Sequence, residues 1–284
     1  MNILVTGANG FIGSSIINSL SNSSDFTFFK GTRELIDLYS HESVKRYVEE
    51  NEINSVIHCA IEGGRRNITD SAEVFYRNLL MFENLISQRV KFDRFINFSS
   101  GVEYDSKSSI ISSSTDPIGT NVPTGYYALS KYIISQRILN KQNPLFVNLR
   151  IFGCFGITER EDRFIKTNIN NYIQCNPIII HQDRYMDFIY INDIINIVKF
   201  YLTKSVELYT IKLRDVNLTY VLKLKLSDIA TMINNLDEQK VEIIIQNQNL
   251  EKSYTGKSDL CLYNNQIEFT GLEGGIRDCY NKLL

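Results

Sequence analysis

Along the first two thirds of the chain, short apolar runs alternate with segments whose apolar residues recur every three or four positions. Asn2–Thr6 is a β-rich run, and Phe11–Leu20 follows with Ile12, Ile16, Ile17 and Leu20 on one helical face. The same reading predicts strands over 26–30, 55–60, 94–99 and 145–151. It predicts helices over 42–51, 71–87 and 127–140, the second carrying Val74, Phe75, Asn78 and Phe82. The strands are apolar nearly throughout rather than alternating, which is the mark of a sheet covered by helices on both faces. Strand–helix alternation of this kind implies an α/β fold with a Rossmann-like, doubly wound parallel sheet and right-handed crossovers.

After about residue 156 the pattern loosens. A helix is expected over 160–175, a strand over 186–192 and a helix over 193–202. Further on, β-like runs at 211–213 and 241–246 flank a capped helix at 227–235, and a short helix closes the chain at 274–284. The simplest organisation is a Rossmann domain at 1–155, to which 183–205 return, and a small, mostly C-terminal cap at 156–182 and 206–284.

Composition narrows the function classes. The chain has 284 residues, 43% hydrophobic and 22% charged, the balance of an ordinary globular protein. A formal net charge of −2 disfavours a broad nucleic-acid surface, which would need a basic excess, though one or two arginines suffice for a local phosphate pocket. The five cysteines form no CxxC pair, and an odd number suits free thiols in a reducing compartment. None of the three histidines stands at metal-ligand spacing, so no metal site is expected. The N-terminus lacks a basic n-region and no apolar stretch reaches membrane-spanning length; with the cysteines, the expectation is a cytoplasmic protein without a membrane span.

The first chemistry-bearing motif is Thr6-Gly7-Ala8-Asn9-Gly10-Phe11-Ile12-Gly13, a TGxxGxxG between a strand and a helix. Gly7 permits a tight turn, Gly10 lets backbone approach a pyrophosphate, and Gly13 lets helix pack on strand. The helix N-terminus then offers N–H groups and partial positive charge to phosphates. In many NAD sites an acid about 20 positions on holds the ribose 2′-hydroxyl. Here the second strand ends in Lys30-Gly31-Thr32-Arg33, with no acid. Arg33 could pair with a 2′-phosphate instead, which favours NADP(H) over NAD(H). Asp37 is a candidate for the adenine amine, or a plain loop residue.

Tyr127-Ala128-Leu129-Ser130-Lys131 is a YxxxK motif whose i, i+4 spacing puts both side chains on one helical face. A free phenol has a pKa of about 10, too high for easy proton exchange at neutral pH. A fixed ammonium beside it stabilises the phenolate and lowers that value. The fourth strand ends in Ser99-Ser100-Gly101, at the edge where such sheets bind ligands. Ser100 can donate to an oxygen beside Tyr127, or simply cap its turn.

These motifs together carry a resemblance. TGANGFIG, SVIHCA, FSSGVEYD, GYYALSK, LRIFGCFG and MDFIYINDI follow one another through most of residues 1–205. In this the chain resembles the extended short-chain dehydrogenase/reductases, in their epimerase/dehydratase branch of nucleotide-sugar enzymes. The segments GTRELIDL and VIHCAIEGG are most similar to the fucose-synthase group of 4-keto-sugar reductases. The resemblance implies catalytic roles for Ser100, Tyr127 and Lys131. It implies cofactor contacts from Gly7, Asn9, Gly10, Phe11, Ile12 and Gly13, from Arg33, Asp37 and Ala60, and from Tyr127 and Lys131. Gly101 and Val102 stand where 4,6-dehydratases carry Asp-Glu, so dehydration is not expected. Met186 stands where the family often has a diphosphate-gripping Arg; Arg184, two residues earlier on the same side of an extended segment, is the candidate substitute.

The expectation is therefore an NADP(H)-dependent reductase of a nucleotide-activated 4-keto-6-deoxy sugar, acting at C4 in surface-polysaccharide sugar biosynthesis. Two alternatives stand beside it: an epimerase that keeps NAD bound, and a non-catalytic NADP-binding sensor. The resemblance also implies a homodimer through the YxxxK helix. Ile133, Ile134, Ile138 and Leu139 could serve that interface or the core, and at least half are assigned to the core.

Overall fold

The computed structural model describes residues 1–65, 68–88, 92–104, 122–141, 143–204, 211–263 and 266–284. The chain divides into two compact units. Of the described residues, the first unit takes those within 1–104, 122–150 and 197–216, and the second those within 151–196 and 217–284.

The first unit begins with β1 (Asn2–Thr6), α1 (Phe11–Leu20), β2 (Thr27–Gly31), α2 (His41–Glu50) and β3 (Ser55–His58). It continues with α3 (Ala72–Ile86), β4 (Arg94–Ser100), α4 (Tyr126–Leu139) and β5 (Phe146–Ile151). With β9 (Asp215–Leu218) these strands form one six-stranded sheet in the order β2-β1-β3-β4-β5-β9. β1 pairs in parallel with β2 and with β3, and β3 with β4. This is the doubly wound parallel sheet that the alternating pattern implied. The winding reverses between β1 and β3, and ligands of such sheets bind at the carboxyl ends beside that reversal.

Local chemistry explains the element ends. Ser40 precedes α2, and its Oγ accepts from Ser43 N at 3.3 Å, satisfying one orphan donor of the helix. Val44 and Val48 are then buried one turn apart. They join Leu4, Val56, Phe82, Leu85, Phe95, Ile134, Ile138 and Phe146 in one apolar cluster. Phe82 and Phe95 meet edge to face at 5.9 Å, the geometry ring quadrupoles favour. On α4, Ile134 and Ile138 belong to this core, whereas Ile133 and Leu139 are half-buried.

The second unit contains β6 (Cys154–Phe155), α5 (Phe164–Ile173), β7 (Ile178–Gln182) and β8 (Ile189–Tyr190). It also holds α7 (Leu226–Asn234), β10 (Ile243–Asn247) and α8 (Gly271–Leu283). β7 pairs in parallel with β10, and β6 with β8. The helix α6 (Ile191–Thr203) starts directly after β8. Near its start, buried Asp193 accepts from Thr270 N at 2.8 Å and Gly271 N at 3.0 Å, and from the Tyr220 hydroxyl. One carboxylate thus fixes the entry to α8. Gly275 of α8 packs on rings: a Cβ there would lie 2.6 Å from Tyr190 Cγ and 2.8 Å from Phe155 Cζ.

Two expectations need correction, and one strand was not foreseen. The run at 211–213 is not a strand but part of a 3-10 turn, Ile211–Arg214, and the strand follows at Asp215–Leu218. The reason is chemical: Asp215 is an ion-pair partner of Arg150 on β5, so a strand with a polar first residue fits there. The extended run at 186–192 shortens to Ile189–Tyr190, with Met186 in an isolated bridge. Ile178–Gln182, unassigned from the pattern, is a strand. Among the described residues no helix is long and apolar enough to cross a membrane.

Candidate active site

The glycine turn leaves β1 at its carboxyl end. Gly7 has φ +63°, a left-handed conformation that side chains disfavour, and its N–H donates to Gly31 O at 3.2 Å. A Cβ on Gly7 would lie 2.8 Å from Ala60 N, and one on Gly13 would lie 2.5 Å from Gly7 O. The turn is therefore closed down on backbone from two directions. Thr6 Oγ1 accepts from Ala60 N at 3.1 Å and shares a 2.8 Å bond with His58 Nδ1. Burial pushes the His58 imidazole down to about 3, so it is neutral. The ends of β1, β2 and β3 are thus tied together around Gly7 and Ala60. Asn9 and Gly10 are exposed, Phe11 and Ile12 half-buried, and Gly13 buried. A cradle lined by backbone at the start of α1 fits the pyrophosphate of a dinucleotide.

Tyr127 and Lys131 stand one turn apart on α4. Lys131 is buried, and its Nζ donates to Phe98 O on β4 at 2.6 Å. Burial pushes its ammonium down to about 8, against the opposing pull of Glu103 and Cys59. Tyr127 is half-buried under the loop that leaves β3. Gly64 has φ +68°, and a Cβ there would lie 2.7 Å from Tyr127 Cζ and 2.8 Å from Cε1. Only a glycine lets this loop lie flat against the phenol ring. Two residues earlier the loop is anchored by Asn78, which accepts from Glu62 N at 2.8 Å and donates to Glu62 O at 3.0 Å. Asn78 also donates to Ser130 Oγ at 3.1 Å, and Ser130 Oγ donates to Tyr127 O at 2.7 Å.

Ser100 ends β4, two residues beyond the carbonyl that Lys131 grips. Its Oγ accepts from Val102 N at 3.5 Å, capping the 3-10 turn Gly101–Glu103. Beneath that turn lies a buried polar network. Glu103 accepts from Ser135 Oγ at 2.8 Å, and from Arg150 Nε at 3.1 Å and Nη2 at 3.0 Å. Arg150 reaches Asp215 Oδ1 at 2.8 Å and donates to the Tyr104 hydroxyl at 3.0 Å. Burial raises the Glu103 carboxyl to about 7, with Arg150 opposing that rise. A charge so deeply placed persists only because it is paired. The network fixes the turn that presents Ser100.

The remaining predicted residues are placed as follows. Arg33, with an 88% exposed side chain, lies 3.5 Å from Glu62 Oε1. Asp37 Oδ1 accepts from Tyr39 N at 2.9 Å, a local turn bond. Arg184, in the second unit, points along Met186 (Nη2 to Sδ, 3.4 Å) and pairs with Glu251 at 3.3 Å. Sequence reasoning missed Glu62, Gly64, Asn78, Glu103 and Asp215. The Gly63-Gly64 pair in the loop after β3 was a readable signal; Glu103 and Asp215, whose partners are distant in sequence, gave none.

Comparison with known proteins places this geometry. A family model described as the NAD dependent epimerase/dehydratase family matches residues 3–218. The chain is 26% identical over 224 residues to a GDP-6-deoxy-D-talose 4-dehydrogenase from Aggregatibacter actinomycetemcomitans, covering 75% of this chain and 74% of that protein. A GDP-mannoheptose C4 reductase from Campylobacter jejuni with NADP bound superposes with a TM-score of 0.77 at 16% identity, over 99% of this chain and 97% of that one. A UDP-N-acetylglucosamine 4-epimerase from Bacillus cereus gives 0.81 at 18% identity, over 100% and 99%. At these identities the two structures establish the fold.

Proposed function

The chain belongs to the NAD dependent epimerase/dehydratase family, and from that premise we propose that it is an NADP(H)-dependent reductase of a nucleotide-activated 4-keto-6-deoxy sugar. The observation that carries the reading is the position of Tyr127 one turn before a buried Lys131 that is tied to the strand ending in Ser100. A C4-reducing and a 4-dehydrogenating enzyme among the similar proteins favour chemistry at C4. Surface-polysaccharide sugar biosynthesis is the setting that such a product fits. A second copy of the chain, docked through Ile133 and Leu139 of α4, is the partner we assign.

When bound, the reduced nicotinamide supplies the hydride for the carbonyl carbon. The protein's part is the oxygen. Tyr127 gives its phenolic proton to the C4 oxygen as negative charge builds there. Ser100 donates a hydrogen bond to the same oxygen, from a turn that the Glu103–Arg150 pair holds in place. The Lys131 ammonium, one proton committed to Phe98 O, stabilises the phenolate left on Tyr127. Gly7, Gly10 and Gly13 hold the cofactor pyrophosphate, Arg33 faces its 2′-phosphate, and Arg184 grips the substrate diphosphate.

The sign of the pH dependence follows from Lys131. Its charge is present below about 8 and lost above it. The rate should therefore fall as pH rises through about 8. The test is a panel of 4-keto nucleotide sugars with NADPH and NADH, followed by absorbance of the reduced nicotinamide from about pH 6 to 10. We expect consumption with at least one sugar and an alkaline limb near pH 8. No consumption with any of them would remove the reductase reading, and a flat profile would remove the role of Lys131.

A further inference from the structure

Lys30-Gly31-Thr32-Arg33 at the tip of β2 holds no acid, and the exposed Glu34 that follows bonds back to Thr32. A second carboxylate reaches this corner from the loop after β3. Glu62 Oε1 lies 3.5 Å from Arg33 Nη2, and Oε2 lies 3.5 Å from Arg77 Nη1. The Tyr39 hydroxyl donates to Glu62 Oε1 at 2.5 Å. Both backbone groups of Glu62 are held by the fully buried amide of Asn78, so the position of the residue is built rather than incidental. The adjoining backbone ties this corner to the glycine turn: Gly31, two residues before Arg33, accepts from Gly7 N at 3.2 Å. On the other side, Gly7 abuts Ala60, two residues before Glu62.

Among the described residues, both cations at this corner already face carboxylates: Glu62 touches Arg33 and Arg77, Glu34 lies beside Arg33, and Glu73 holds Arg77 at 2.7 Å. A 2′-phosphate, carrying a charge of about −1.5 to −2, needs a net positive pocket and must displace Glu62 from Arg33 to obtain one. A 2′-hydroxyl needs only an acceptor, which Glu62 offers as ribose-binding acids do at the tips of second strands.

We propose that Glu62 is the residue that sets cofactor choice, accepting the 2′-hydroxyl of NAD(H) and competing with the 2′-phosphate of NADP(H) for Arg33. This rests on the reading of Arg33 as the cation that faces the adenosine ribose. Glu62 therefore tempers the NADP(H) preference that Arg33 alone would confer. Arg33 is on an exposed side chain with a long ion-pair distance, so it can change partner when the phosphate arrives.

The test is direct binding rather than turnover: titration of the purified full chain with NADPH and with NADH, by calorimetry or reduced-nicotinamide fluorescence. Glu62→Gln keeps an acceptor for Tyr39 and removes the charge. It should tighten NADPH about tenfold and leave NADH unchanged or weaker. Glu62→Ala should move the ratio in the same direction, and serves if a melting curve shows that the Gln variant has lost its fold. A wild-type chain that binds both cofactors, with a ratio that neither variant moves, overturns the role of Glu62 alone. A wild-type chain that binds neither overturns this and the reductase reading together.

Discussion

Replacing Tyr127 by Phe should lower kcat by about 10³-fold while NADPH affinity stays within about twofold of wild type. The substitution removes one oxygen and keeps the ring. The contact that matters for packing, the ring against Gly64, survives. Lys131 keeps its bond to Phe98 O, so the helix stays where it is. What disappears is the proton for the C4 oxygen, while the Ser100 hydroxyl and the Lys131 ammonium stay in place. Steady-state rates together with a cofactor titration check this. A rate within tenfold of wild type would mean that the phenol does no chemistry, as a cofactor-binding sensor would have it.

The second large effect concerns the cradle. In Gly13→Ala the new methyl would sit 2.5 Å from Gly7 O, 3.1 Å from Gly7 C and 3.2 Å from Ala8 Cα. All three are backbone atoms of the turn, which cannot swing aside as a side-chain tip could. Either α1 backs away from the turn or the turn deforms, and each outcome spoils the alignment of N–H groups toward a pyrophosphate. We expect NADPH and NADH affinity to fall at least 100-fold together, with a loss of about 1–3 kcal/mol in folding stability from overpacking. Calorimetric titration and a denaturant melt measure both. A folded variant that binds cofactor as well as wild type would place the dinucleotide elsewhere.

Which parts of this were legible in the sequence has a physical explanation. Strands buried on both faces must be apolar, so β1, β3, β4 and β5 stand out as runs, and their order with intervening helices implies the winding. The glycine turn was readable because its three glycines each answer a steric demand at fixed spacing. Tyr127 and Lys131 were readable because a helix turns every 3.6 residues. What could not be read is whatever depends on partners distant in sequence. Glu103 looks like a surface acid until Arg150, 47 positions on, is folded against it. Asp215 hides its strand because its first residue is polar for the same guanidinium. Glu62 lies in a loop without periodicity, and only the fold brings it beside Arg33. β7 escaped notice because five residues, Ile178–Gln182, pair with a strand more than sixty positions away.

The proposed reduction requires hydride to reach C4 while Tyr127 protonates the oxygen, and isotope transfer follows that hydride. The chain would be incubated with a 4-keto-6-deoxy nucleotide sugar and NADPH deuterated at the transferring face of its nicotinamide C4, and the product read by proton NMR. Deuterium at the sugar C4, one equivalent of NADPH consumed per product, and loss of both in Tyr127→Phe are expected. Product formed without deuterium at C4, or with no net consumption of cofactor, would contradict the proposed reduction.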